Sequence, residues 1–274
     1  MRKAMVPVVL VILIIALSFT ACDDFFSSGW GSPRDYRVGN INVTANNLDN
    51  WLDRTLGNQP LAMRVSEAIL IRLNNPPPLS EEHRARFQRA GIRIAVEASG
   101  LGTALLNNAF GLLADMADFE GLGYDKLKEI LGGIQGSLRG SGSAAAESIA
   151  SMVAMDIDTS SGVPTFPSSS FVHQANPSEV AKTIMVLTLA ETEHERLDIS
   201  QGDWEYFCLE AFGLDLNPEG KVVVAYDNMS PRPTTLALAA YLNLIAGENF
   251  DSRNNFLIEA IRSGFFGNNQ SQNP

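Results

Sequence analysis

The sequence predicts an all-α protein in which irregular helical hairpins form a repeat-like stack or a bundle. From residue 47 onward, apolar side chains recur at helical spacing and are punctuated by proline, glycine and asparagine. Helical pairs follow one another at intervals of roughly 35–45 residues, which is typical of helical-repeat proteins. Residues 221–226 are the only segment that we expect to be extended, because three consecutive valines favour a strand.

Local start and stop signals set the bounds of the predicted helices. Ser80 is a favourable N-cap, and the two glutamates that follow it complement the helix dipole. Asn176 can cap a later helix, with Pro177 suited to the first helical position and Glu179 placed to complete a capping box. The predicted helices cover residues 48–56, 61–73, 80–98, a continuation after Gly102 through residue 112 to 119, and residues 124–138, 144–155, 176–197, 204–212, 235–245 and 252–261.

The predicted helices belong to one domain over residues 41–266, which a polar tail over residues 267–274 follows. Inside the domain, residues 158–175 form a long break that is rich in Ser, Thr and Pro. A loop of this length in a compact domain usually carries function. Phe166 and Phe171 lie in this loop, and we expect them to pack across a groove and to contact a partner there.

The amino terminus has the layout of an export signal. Two basic residues precede an apolar run over residues 6–19, which is shorter than the about 20 residues of a membrane-spanning helix, and a cysteine follows at position 22. The segment resembles the lipobox of bacterial lipoproteins. That resemblance implies that residues 1–21 are a signal peptide and that Cys22 becomes the first mature residue, which carries acyl chains such as palmitate.

Phe19 departs from the common lipobox, in which a leucine stands three residues before the cysteine. The departure is similar to the looser form found in spirochaete lipoproteins and implies a source of that kind. Ordinary secretory cleavage after Ala21 and an uncleaved signal anchor stay open as alternatives, although Phe19 is bulky where ordinary cleavage needs a small residue. The resemblance implies a protein of the cell envelope, lipid-anchored on the periplasmic face or the outer surface, with residues 22–40 as a flexible tether.

The charge balance limits the kinds of partner. The chain has a formal net charge of −11, and removal of the basic leader makes the remainder more acidic. Such a surface repels nucleic acid and anionic lipid headgroups, so we expect no nucleic-acid partner and an attachment to the membrane through the acyl chains on Cys22. Cys208 is then the only remaining cysteine, and the domain must be stable without an internal disulfide.

A polar group of residues near the end of the helix predicted over 176–197 has the spacing of a metal site. Glu191, His194, Glu195 and Asp198 fall at positions i, i+3, i+4 and i+7, which places them on one helical face. Glu-x-x-His is half of the motif that di-iron bundles use, but the second copy that such a site needs is missing. The alternative is a solvated helix end with ordinary charge partners, and we expect no cofactor.

Four arginines give the acidic chain its one basic patch. Arg84, Arg86, Arg89 and Arg93 follow one another along the helix predicted over 80–98. The first interpretation is a solvated helix face. The second is a docking site for an anionic partner.

These features favour a non-enzymatic, membrane-anchored helical lipoprotein that acts as a binding or adaptor module for a protein partner. Its architecture is distantly similar to that of the tetratricopeptide-type lipoproteins that partner solute-binding proteins of TRAP transporters. That similarity implies an adaptor role in the periplasm and identifies no functional residue. One alternative is a carrier of a lipid or another hydrophobic ligand with residues 101–114 at its cavity, and another is a metal-dependent enzyme that uses the Glu191 face.

Overall fold

A computed structural model of the protein describes residues 41–75, 77–102, 141–194, 212–225, 231–247, 250, 258, 261–262 and 265–266. Six α-helices, one short 3₁₀-helix and one two-stranded sheet account for the named elements of these ranges. In chain order they are α1 (Leu48–Thr55), α2 (Gln59–Asn74), α3 (Glu81–Ala98), α4 (Ser141–Val153), the 3₁₀-helix (Phe171–Gln174), α5 (Pro177–His194), β1 (Leu214–Leu216), β2 (Val222–Val224) and α6 (Pro233–Ala246).

The predicted all-α class with one short extended region is confirmed. Helix α3 begins where its cap was predicted, because the Ser80 hydroxyl accepts a hydrogen bond from the His83 amide at 3.3 Å. Asn176 likewise accepts from the Ser178 amide at 2.8 Å at the start of α5. These short side chains satisfy amides that have no partner inside the helix, so local sequence is enough to set both starts.

Several predicted segments lie outside the described residues. They are the leader 1–21, the tether 22–40, the continuation after Gly102 to residue 119, the helix 124–138, all but the last residue of 204–212, most of 252–261 and the tail 267–274. Within the described ranges, no helix combines the length and the apolar character needed to cross a bilayer.

Helix α4 is the centre of the described core. It contacts α2, α3, α5 and α6, so it is surrounded in the manner of a bundle, whereas a repeat unit contacts only its sequence neighbours. Small residues make this possible, because Gly142, Ala145, Ala146 and Ala150 are all buried on α4 and let neighbouring helices approach closely. Their burial explains why a helix with few large side chains holds four others together.

The closest approach in this core is at Gly91 of α3. A Cβ atom at this position would lie 2.9 Å from Cγ2 of Ile69 on α2 and 2.6 Å from Sδ of Met152 on α4. The thioether of Met152 can turn aside, but Cγ2 of Ile69 is fixed close to its own backbone. Three helices therefore meet at a point that has room only for a hydrogen atom.

Strands β1 and β2 form an antiparallel hairpin that joins α6 through one side chain. Leu216 pairs with Val222, and Asn217 begins the connecting turn. The Asn243 side chain of α6 accepts from the Val222 amide at 2.8 Å and donates to the carbonyls of Val222 and Pro164, each at 2.8 Å. One buried amide therefore connects the hairpin, α6 and the loop that precedes the 3₁₀-helix. We call this set of bonds the Asn243 clamp.

The expectation that 221–226 is the only extended segment was wrong, because β1 is also a strand. The sequence Leu-Asp-Leu is short and carries no β-branched residue, so it has little strand propensity of its own. Its conformation depends on pairing with β2. The loop at 158–175 also has regular structure, since Asp158 pairs with Thr165 in a β-bridge before the 3₁₀-helix begins.

We predict that Gly91→Ala destabilises the protein although alanine favours helices more than glycine does. Overpacking against Ile69 is expected to lower the free energy of unfolding by about 1–3 kcal/mol, which outweighs the gain in helix propensity. Urea unfolding followed by circular dichroism measures the change. Gly102→Ala is the matched control, because a Cβ at Gly102 meets none of the described residues within 4 Å. Equal stability of Gly91→Ala and Gly102→Ala would contradict the close packing of α2, α3 and α4.

We predict that Asn243→Ala destabilises the protein by at least about 2 kcal/mol, because it leaves an amide and two carbonyls buried without partners. Asn74→Ala, at an exposed position at the end of α2, is the control and is expected to have little effect. Hydrogen exchange gives a second readout, since the Val222 amide is expected to exchange faster in Asn243→Ala. Unchanged protection of that amide would show that the clamp does not form.

Candidate functional site

The described residues enclose a cleft of about 210 Å³ where α1, α3 and the start of α5 meet. The 3₁₀-helix closes one side, and Tyr241 of α6 lies at its base. About half of the wall is apolar, and the other half is polar or charged. The large apolar side chains that line it are Leu52, Leu56, Ile92, Ile94, Val96, Phe171, Val172 and Val180.

Glu179 in the first turn of α5 organises the charged side of the cleft. Its carboxylate lies between two arginines of α3, with Nε of Arg93 at 3.2 Å and Nε of Arg89 at 3.6 Å. Both arginine side chains are about half exposed, so these ion pairs contribute little stability and mainly fix positions. The pairs engage the Nε edges, and the terminal nitrogen atoms of both guanidinium groups have no acceptor among the described residues.

The other two arginines of the predicted docking face bind acidic residues outside the cleft. Arg86 contacts Asp49 of α1 at 2.6 Å, and Arg84 lies 3.7 Å from Asp156, which follows α4. The four arginines therefore lie on one helix but divide into two pairs with different surroundings. Only Arg89 and Arg93 line the cleft.

Three further charged side chains line the cleft. Lys182 is half-buried on α5, and Asp53 is exposed on α1 at the rim. Neither has an ion-pair or hydrogen-bond partner within the described ranges. Glu97 also lines the cleft and takes part in an interaction of its own.

Tyr241 gives the base of the cleft a buried polar group. Its ring packs edge-on against Phe166, with 5.1 Å between the ring centres, and only 2% of the residue is exposed. Its hydroxyl group has no hydrogen-bonding partner in the part of the chain that the structure describes. Burial raises the pKa of Tyr241 well above its usual range, and the negative charges of Asp156 and Glu179 raise it further. The hydroxyl therefore stays protonated at any physiological pH.

The two phenylalanines predicted in the long loop are both part of the core. Phe171 packs at one wall of the cleft, and Phe166 supports the ring of Tyr241. They are 9% and 7% exposed, so neither presents a free ring to solvent. His173 ties the loop together, because its Nε2 lies 3.2 Å from the carbonyl oxygen of Phe166. The end of the loop, from Phe171 to Ala175, lines one side of the cleft, and contact of the two rings with a partner stays a prediction.

The predicted metal face is described only at its first member. Glu191 is buried at the end of α5, where its Oε2 lies 3.4 Å from Nη1 of Arg232 and accepts from the Thr235 hydroxyl at 3.3 Å. The side chain of His194 and the residues Glu195 and Asp198 lie outside the described residues. In the described ranges no three His, Cys, Asp or Glu residues cluster in a way that could hold a metal ion. The metal site stays a prediction.

Sequence reasoning found Arg89, Arg93 and Phe171 but missed Tyr241 and Lys182. Tyr241 lies in the apolar run of α6, where its aromatic ring is indistinguishable from a core residue. Lys182 is an ordinary polar residue in a helical pattern. Only the packing of α5 against α3, and of α6 against α4 and α5, brings these side chains to one cleft, so no local signal identifies them.

Comparison with known proteins gives no match, whether with protein-family models, with curated proteins or with solved structures.

We predict that Tyr241→Phe is as stable as the wild type at neutral pH, because it keeps the ring that packs against Phe166 and removes a hydroxyl for which no hydrogen bond to the described residues is formed. Above about pH 10 the wild type is expected to lose stability, since the unfolded chain releases the phenolic proton while the folded protein keeps it. The loss approaches about 1.4 kcal/mol per pH unit and is absent from Tyr241→Phe. Urea unfolding of both proteins at pH 8 and near pH 11 tests this. Parallel losses in both would show that Tyr241 titrates normally.

Proposed function

We propose that the protein is a non-catalytic binding module, anchored to a membrane of the cell envelope through acyl chains on Cys22, and that it acts as an adaptor for a protein partner. The observation that carries this proposal is the cleft between α1, α3 and α5. It combines apolar walls with Arg89, Arg93 and Lys182, whose terminal nitrogen atoms have no acceptor among the described residues. Groups of this kind are suited to recognition of a polar partner.

The size of the cleft supports a protein partner over a bulky free ligand. A volume of about 210 Å³ equals roughly seven water molecules and lies below the range of about 300–1,000 Å³ of most small-molecule pockets. One amino-acid residue fills such a space. The surrounding rim, which includes Asp53 and the exposed edges of Arg89 and Arg93, then contacts the neighbouring surface of the same partner.

The proposed anchoring rests on the leader that resembles a lipobox. Several acyl chains on one cysteine give stable attachment, whereas a single chain holds a protein only marginally. The acidic balance of the chain, with a net charge of −11, supports attachment by acyl chain and not by a basic patch. A bound partner is thereby kept at the membrane surface.

Neither alternative function has an observation in its favour. Of the segment 101–114 proposed to line a hydrophobic cavity, only Leu101 and Gly102 are described. Of the metal face, only the Glu191 side chain is described, and it pairs with Arg232. Both alternatives stay predictions.

A photo-crosslinking residue at Asp53, on the rim of the cleft, is expected to capture one defined partner in intact cells. The same residue at Glu67, exposed on α2, is the matched control and is expected not to capture it. Ala175→Phe fills the cleft from the end of the 3₁₀-helix and is expected to abolish the crosslink from position 53.

Fractionation of the same cells tests the lipid anchor. Cys22→Ser is expected to move the protein out of the membrane fraction, because it removes the site of acylation. Equal capture from positions 53 and 67, or capture that survives Ala175→Phe, would refute docking at the cleft. Membrane association that survives Cys22→Ser would refute the lipid anchor.

A further inference from the structure

We draw no further inference here: the strongest candidate, the group of buried polar atoms where the end of α5 meets the start of α6, in which Oε1 of Glu191 and the hydroxyl groups of Thr188 and Thr234 have no hydrogen-bond partner among the described residues, carries nothing because the side chains that follow Glu191 lie outside the described residues and nothing in the structure shows what ligand these atoms would bind.

Discussion

The close packing of helices around α4 is the constraint on which the rest of the structure depends. Gly142 and three alanines give α4 small buried side chains, which let other helices pack close to it. Gly91 has no side chain, so α3 lies close to both α2 and α4 at this position. The cleft lies where α3 carries Ile92 and two arginines and the first turn of α5 carries Glu179. Because α4 packs against both α3 and α5, it holds the two helices that carry these side chains.

The sequence predicts those features that depend on neighbouring residues. The starts of α3 and α5 are of this kind, because Ser80 and Asn176 bond to amides two or three residues away. The side of α3 that carries Arg86, Arg89 and Arg93 is another, since helical periodicity alone aligns these three arginines. Strand β1 cannot be predicted from neighbouring residues, because Leu-Asp-Leu has little strand propensity and is extended only through its pairing with β2.

The candidate site could be predicted only in part for the same reason. The arginines were found, but their division into a cleft pair and an outer pair depends on acidic residues of three other elements. Glu179 reads from sequence as a capping residue, and its position between Arg89 and Arg93 follows only once α3 and α5 are packed. Tyr241 is buried only once the helices have packed together, and its hydroxyl has no hydrogen-bond partner among the described residues. The periodicity of the sequence cannot predict either property.

The Asn243 clamp has a consequence for the order in which the protein folds. Its bond to Pro164 joins residues 79 apart in the chain, whereas α2 and α3 are consecutive and pack on each other directly. Contacts between distant residues carry a larger loop-closure cost and tend to form late. Tyr241 lies on the same helix, two residues before Asn243, so its ring reaches its final place only when the Asn243 clamp forms. During synthesis, the wall made by α1 and α3 can therefore exist before its base, and the cleft is completed only after the carboxyl-terminal half of the chain has emerged.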